Sequence, residues 1–350
     1  MAAEVPSLLS VRNLTVEIDT RQGVVHAVDG VGYDLHRGET LGIVGESGCG
    51  KTMSALALVG LLPRPAARVV SGEVNFEGRN LLALSRRELR AVRGRDIAMV
   101  FQDATTSLHP AFAVGDQIEE ALRLHDHRLS RRGARSRAVD LLASVGVPDA
   151  ASRARGYPHQ WSGGMRQRAM TAMAIANGPS VLIADEPTSA LDVSTQAQVL
   201  DVLRQAQETT GAATILISHD LAVIAEMADR VAVMYAGHIV ETGLARELFA
   251  SPCHPYTLGL LASLPRLDRP QGRLVSIPGQ PPSLLQRLDG CPFGPRCRLR
   301  LGRADCAEAR PPLAPTGAGS QRAACHFTDE MDRERRDIER EIGASITGSR

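Results

Sequence analysis

Apolar positions along this chain alternate between short unbroken runs and longer stretches with helical spacing. The runs in GETLGIV (38–44), DIAMVFQD (96–103), VLIA (181–184) and ATILIS (213–218) read as strands, and an unbroken apolar strand suits a parallel sheet covered on both faces. Helices are expected over MSALALVGLL (53–62), over SRRGARSRAVDLLASVGV (130–147), and from SGGMRQR through AMTAMAIAN. After Ser218-His219-Asp220 come another helix and a hairpin-like pair ending near 243. Residues 8–101 therefore carry strands, 103–165 are mostly helical, and 166–245 return to alternating strand and helix. Residues 251–327 are proline-rich with little core of their own, and 328–350 form a charged helix or frayed tail with a thin apolar stripe of Met331, Ile338 and Ile342. No internal repeat is visible.

Composition narrows the class. A chain of 350 residues that is 43% hydrophobic and 23% charged buries a large core, in two domains or one with appendages. The formal charge of +1 supplies no overall field for nucleic acid or anionic lipid, although arginine is dense at 128–137 and 296–303. The longest apolar window, SALALVGLL (54–62), is shorter than the roughly 18 residues a membrane span needs. The amino terminus lacks the basic and apolar regions of a signal peptide, which leads us to expect a cytoplasmic chain.

One cation stands apart. Of 40 basic residues only Lys51 is lysine, and it lies in VGESGCGKT (44–52). Wherever a solvated charge suffices, arginine has replaced lysine, so Lys51 must perform something arginine cannot. The stretch fits G-x-x-x-x-G-K-[ST], with Gly45, Gly50, Lys51 and Thr52 in place, between an expected strand and an expected helix. Gly48 and Gly50 let the backbone curl so that successive N–H groups point inward as an anion cradle. A compact ammonium can reach between phosphate oxygens there; a broad guanidinium collides with the loop. The competing reading is a glycine-rich turn with an incidental lysine.

Further candidates sit at the ends of other strands. Asp185 and Glu186 close the 181–184 run, placed to hold Mg²⁺ and to polarise an attacking water. Alone, two acids there are often just a solvated strand end. His219, after the 213–218 run, is placed for a γ-phosphate or, equally, to cap the following helix. Gln102 follows a strand and by itself proves nothing. Ser162-Gly163-Gly164 open a helix whose free N–H groups suit a second anion, one belonging to another nucleotide or another chain.

Taken in order, the phosphate loop, Gln102, S-G-G-x-x-Q-R (162–168), D-E-P-T-S-A-L-D (185–192) and Ser218-His219-Asp220 resemble the ATP-binding-cassette (ABC) ATPases over roughly residues 8–245. The resemblance implies an α/β fold: a RecA-like P-loop NTPase core of ABC type, an antiparallel β subdomain, an inserted helical subdomain (about 103–165) and a Cys-containing C-terminal extension. It implies ATP bound by Gly45, Glu46, Ser47, Gly48, Cys49, Gly50, Lys51, Thr52, Gln102 and Asp185. Mg²⁺ is held through Thr52, Gln102 and Asp185, and catalysis falls to Glu186, His219 and Gln102. In a head-to-tail dimer, Ser162, Gly163, Gly164, Met165 and Gln167 meet the partner's ATP, and Asp192 lies at the interface. Gln102 links the γ-phosphate to the helical subdomain, which presses on a membrane partner. Two departures stand out. The signature begins with Trp161 and has Met165 where many cassettes have glutamine; the upstream positions where many stack adenine on an aromatic fall near Ile18 and Val25, neither aromatic.

Segments outside the shared core narrow the family. FQDATTSLHPAFAVGDQI (101–118), SPCHPYTLGLLASLP (251–265) and IPGQPPSLLQRLDGCPFGPRC (277–297) resemble the oligopeptide/dipeptide importer ATPases, a group that includes nickel and glutathione systems, extending the match to about residue 327. The domains expected are then 8–250 for the ATPase, 251–327 for the transporter-type C-terminal region and 328–350 for the charged tail. Four of six cysteines, Cys291, Cys297, Cys306 and Cys325, cluster in that region with spacings unlike the paired C-x-x-C of common zinc folds. By resemblance they hold a [4Fe–4S] cluster; Zn²⁺ and free buried thiols stay open as the second and third readings, and His326 is expected to be solvated.

The expected function is an ATP-hydrolysing importer subunit. Its partners are a second ABC ATPase (a paralogue or another copy), two membrane permeases and, indirectly, an extracytoplasmic solute-binding protein, with no nucleic acid. It sits peripherally on the cytoplasmic face of the inner membrane. The cargo, peptide or alternatively nickel, glutathione or another small solute, is never touched by the ATPase. A soluble ABC ATPase acting on nucleic acid or ribosomes is the second reading, and a nucleotide sensor without turnover the third; the presence of Glu186 and His219 argues against the last.

Overall fold

The two longest amino-terminal strands, β1 (Leu9–Thr20) and β2 (Gly23–Leu35), pair antiparallel around a tight turn, Thr20 standing opposite Gly23. They join β4 (Ala67–Phe76) and β5 (Arg79–Asn80) in a four-stranded antiparallel sheet of order β2-β1-β4-β5. In this computed structural model residues 6–189, 191–264, 276–300, 303–317 and 319–347 are described. Between β2 and β4 the chain makes β3 (Thr40–Val44) and α1 (Lys51–Leu58). The helix ends earlier than the apolar spacing of 53–62 implies, because Gly60 takes φ +60° and Pro63 follows. A capping box at Ser85 and Glu88 then starts α2 (Arg86–Val92), which leads to β6 (Ile97–Val100).

A helical layer follows: α3 (Ala104–Ser107), α4 (Val114–His125), α5 (Arg131–Ser144), α6 (Ala150–Arg153) and α7 (Gly163–Ile175). Ser130 accepts from the Gly133 amide to begin α5, and Gly146 at φ +73° lies beyond its end, inside the span the spacing implies. Leu108, Ile118, Leu122, Leu142 and Trp161 form this layer's own core. The chain then returns through β7 (Val181–Asp185), α8 (Val193–Thr210), β8 (Ala213–Ser218), α9 (Leu221–Met227), β9 (Arg230–Tyr235) and β10 (His238–Leu244). Ala236 and Gly237, both at positive φ, make the two-residue turn of the β9–β10 hairpin.

The central sheet has the order β9-β3-β8-β7-β6 for its parallel part, with β10 antiparallel beyond β9. Register decides where chemistry can occur. Val44 stands opposite Ser218, Asp185 opposite Ile217, and Val100 opposite Ala184, so β3, β8, β7 and β6 all end along one edge. In open α/β sheets ligands bind at that carboxyl edge.

The C-terminal region corrects one expectation, since it does have a core. After α10 (Ala245–Ala250) and α11 (Pro255–Ala262), and past α12 (Asp305–Glu308), β11 (Ala314–Pro315) and β12 (Arg322–Ala323) extend the central sheet, Ala323 pairing with Glu241. Tyr235, Tyr256 and Phe293 meet with ring centroids 4.6–5.5 Å apart, locking the segment to β9 by aromatic burial that polar, proline-rich sequence conceals. The charged end is α13 (Met331–Thr347), whose Met331 and Ile338 bury against Leu258; Ile342 lies outside the residues whose side chains are described. Among the described residues no helix is long and apolar enough to cross a membrane.

Glu241 anchors α11. Fully buried on β10, its carboxylate accepts from the Cys253 amide (2.6 Å) and the His254 amide (3.1 Å). Burial pushes the pKa of its carboxyl up to about 7, while those amides pull the other way. Because the folded form keeps a proton that the unfolded chain releases above 4.5, the stabilising contribution is complete below that value and is lost as pH rises toward about 7. Glu241→Gln should abolish this slope in urea midpoints compared at acid and neutral pH. Glu241→Ala, leaving two buried amides unpaired, should lower unfolding free energy by about 2–4 kcal/mol.

Candidate active site

The loop after β3 is built on glycine. Gly45, Gly48 and Gly50 have φ of +156°, +79° and +105°. A Cβ on Gly45 would lie 2.1 Å from the Met234 carbonyl oxygen, and one on Gly50 would lie 2.1 Å from that of Ala27. The hairpin tip supports the loop from outside, as the Gly237 amide donates to the Cys49 carbonyl at 3.0 Å. Lys51 begins α1 buried, its ammonium donating to the carbonyls of Gly45 (2.7 Å) and Glu46 (3.1 Å). The Cys49 thiol is pushed up by burial, with Lys51 acting against that shift. Ser47 and Gly48 lie at the exposed apex of the turn.

The neighbouring strands bring four more side chains to the loop. Thr52 Oγ1 donates to Asp185 Oδ1 at 3.1 Å. Glu186 Oε2 accepts from Gln102 Nε2 at 2.8 Å and lies 3.3 Å from His219 Nδ1. Glu186 itself has φ +45°, a conformation that residues other than glycine rarely adopt, held by the hydrogen bond its amide donates to the Ile217 carbonyl at 2.9 Å. The buried Asp185 is pushed up to about 6 by desolvation and by Glu186, while Thr52 and Lys51 lower it. A desolvated carboxylate paired with a hydroxyl is an oxygen-donor set that a hard divalent cation satisfies, so these residues fit Mg²⁺. The structure thus brings together Lys51, Thr52, Gln102, Asp185, Glu186 and His219.

The signature residues lie elsewhere. Ser162 caps α7, accepting from the Met165 amide at 3.3 Å, and Asp192 caps α8, accepting from the Thr195 amide and hydroxyl at 3.0 and 2.7 Å. Gly163 and Gly164 face Leu191 and Thr195; a Cβ on Gly164 would come within 2.6 Å of the Thr195 methyl. This helix start therefore abuts the start of α8. Gln167 is buried in the helical layer, with its Nε2 unpartnered among the described residues. Ile18 and Val25, the positions flanking the expected adenine, are cross-strand neighbours and half-buried.

The four C-terminal cysteines share one neighbourhood. The Cys291 amide donates to the Cys306 carbonyl at 2.9 Å. Burial, together with nearby Cys291 and Cys306, pushes the Cys297 thiol up to about 11, and burial with Cys297, Cys291 and Cys306 pushes Cys325 up to about 12. All are free thiols, and among the described residues no three His, Cys, Asp or Glu side chains converge on one metal position. His326 is half-buried, its Nε2 3.0 Å from the Ala309 carbonyl.

Sequence reasoning missed one contributor. The Glu46 amide donates to the Tyr256 hydroxyl at 2.8 Å, and its carboxylate is gripped by Arg296 at 2.8 and 3.1 Å. The HPYT and FGPRC segments containing these residues served only as marks of family likeness; an acid inside an anion-binding loop was the available clue.

Gly50→Ala should lower stability by about 3 kcal/mol or more through overpacking and left-handed strain. Gly48→Ala, in open space, should lose only the conformational part, about 1–2 kcal/mol. Thermal unfolding of the two variants compares them.

Comparison with known proteins matches residues 28–189 to the ABC transporter family model and 240–306 to that of the oligopeptide/dipeptide transporter C-terminal region. The chain is 50% identical over 294 residues to the dipeptide transport ATP-binding protein DppD of Bacillus subtilis (strain 168), covering 84% of this chain and 88% of that protein. A probable peptide ABC transporter ATP-binding protein of Sinorhizobium fredii (strain NBRC 101917 / NGR234) is 49% identical, covering 93% of this chain and 96% of its own length. Among solved structures, the ATP-binding cassette MJ0796, a dimer in a post-hydrolysis state bound to ADP and Pi, superposes with a TM-score of 0.61 at 26% identity, covering 68% of this chain and 99% of the cassette. With relatives at half identity along nearly their whole length, and strand ends that converge as described, the chain belongs to the ATP-binding proteins of ABC transporters, in the group carrying the oligopeptide/dipeptide transporter C-terminal region.

Proposed function

We propose that this protein is the ATP-hydrolysing subunit of an ABC importer of dipeptides or oligopeptides. The observation that carries the reading is the alignment of four adjacent strand ends, which sets Lys51, Thr52, Asp185, Glu186, Gln102 and His219 around one glycine loop. Peptide cargo is supported by what the relatives are called and by the C-terminal match.

Each side chain then has a task. Amides of the 45–52 loop other than that of Glu46, which Tyr256 holds, and the Lys51 ammonium bind the phosphates. Thr52 and Asp185, with Gln102, would hold Mg²⁺, which would supply positive charge against the charge of the nucleotide. Glu186 polarises the attacking water, and His219 steadies it against the γ-phosphate. Ser162, Gly163, Gly164 and Met165 meet the nucleotide of a second ABC ATPase subunit, paralogue or copy, with Asp192 at the seam; Gln167, which the sequence grouped with them, is buried beneath this surface and does not reach it. Support for this comes from the exposure of Ser162 at the start of its helix and from the dimeric cassette the fold resembles.

Residues 8–250 act as the ATPase domain, 103–165 as its helical subdomain, 251–327 as the transporter-type region and 328–350 as the charged end. Next to Gln102 lies an apolar groove lined by Leu61, Phe101, Leu108, Leu124, Met170 and Met173, with Phe101 and Leu124 exposed. It suits a permease docking on the helical layer and so supports a peripheral position on the cytoplasmic membrane face.

Glu186→Gln should retain ATP and trap a closed dimer while turnover falls by about 10²-fold or more; unchanged hydrolysis refutes the assigned role. Lys51→Ala should lose ATP binding, and the wild-type chain should copurify with two membrane subunits rather than with nucleic acid. For the four thiols we propose a [4Fe–4S] cluster, with zinc as the alternative, supported by their shared neighbourhood and their number. Metal analysis of anaerobically purified protein decides it. Iron with visible absorbance that disappears in Cys291→Ser is the expected result, and absence of both metals rejects the site.

A further inference from the structure

An acid is an odd choice for the second position of a loop that binds polyphosphate. Coulomb repulsion between Glu46 and a triphosphate would weaken binding, and a partly desolvated site screens it poorly. The structure supplies the counter-charge from 250 residues away. Arg296, with only 5% of its side chain exposed, meets both Glu46 oxygens in a two-pronged pair. Its other bonds fix the fork: Nε donates to the Pro278 carbonyl at 2.9 Å and Nη1 to the Tyr235 hydroxyl at 3.3 Å. Tyr256 holds the same loop residue by its backbone, and both tyrosines are fully buried. The same segment reaches the other side of the loop, where the Leu284 carbonyl accepts from the His26 amide, next to the Ala27 carbonyl that crowds Gly50.

We propose that Arg296 is a positioning residue of the nucleotide site: by cancelling the Glu46 carboxylate it sets the phosphate loop's affinity for ATP, which makes the C-terminal region part of the ATPase. The inference rests on the 45–52 loop binding ATP and goes beyond it by assigning a role to a residue far from any nucleotide motif. Arg296 acts through Glu46, so its effect must depend on that acid and on the charge of the ligand. Removing the guanidinium exposes a carboxylate to the phosphates, and the penalty grows from diphosphate to triphosphate. Removing both charges removes the repulsion.

The test titrates full-length protein with mant-ATP and mant-ADP. Arg296→Gln should weaken mant-ATP by about tenfold or more and mant-ADP less, raising KM for ATP with little change in kcat. The Arg296→Gln/Glu46→Gln double variant should recover to within about threefold of wild type, and Glu46→Gln alone should bind mant-ATP at least as tightly as wild type. Unchanged affinity in Arg296→Gln, or a double variant as weak as the single, would overturn the proposal. If Arg296→Gln does not fold, Glu46→Gln decides alone, because weakened ATP binding there means the pair is packing support and not charge cancellation. Wild-type protein that binds no mant-ATP would refute the ATP reading itself; tight wild-type binding with an indifferent Arg296 refutes only this inference.

Discussion

Everything at this site depends on the tight turn where β3 becomes α1, and that turn exists because three glycines accept angles closed to other residues. The constraint is steric before it is electrostatic. Side chains at Gly45 and Gly50 would run into the carbonyls of Met234 and Ala27, which belong to the hairpin strand and to the antiparallel sheet. The loop is therefore clamped between the two sheets, and its shape is a property of the whole molecule. Lys51, buried and bonded to two loop carbonyls, adds the one compact cation that the crowded turn admits.

From that clamp the remaining chemistry follows by register. Parallel pairing puts Val44, Ser218, Asp185 and Val100 at successive strand ends, so the side chains just beyond them come within reach of one another. Burial pushes the Asp185 carboxyl up, and the hydrogen bond from the Glu186 amide to the Ile217 carbonyl holds Glu186 in a left-handed conformation. The helical layer takes no part in this edge. Its signature segment packs instead on the start of α8.

The C-terminal region belongs with the core. It adds β11 and β12 to the central sheet, buries Tyr256 and Phe293 against Tyr235, and hangs α11 on the Glu241 carboxylate. Arg310 pairs with Asp29 at 3.0 Å on the antiparallel sheet, so the region braces both sheets that clamp the loop.

Much was legible in the chain itself because local rules governed it. The strand, glycine turn and helix around Lys51 follow from apolar runs and steric permissiveness, and Ser130 and Gly146 bound their helix by capping chemistry. Helix ends were less legible, as α1 shows: its apolar spacing runs past Gly60, where backbone conformation overrules it. Only the tertiary structure decided that Gln102 and His219 both reach Glu186, that the proline-rich tail has a core, and that Arg296 covers Glu46. The physical reason is range. Periodicity and turn chemistry act over a few neighbouring residues, whereas strand register and the fit of buried rings bring together side chains that no local pattern relates.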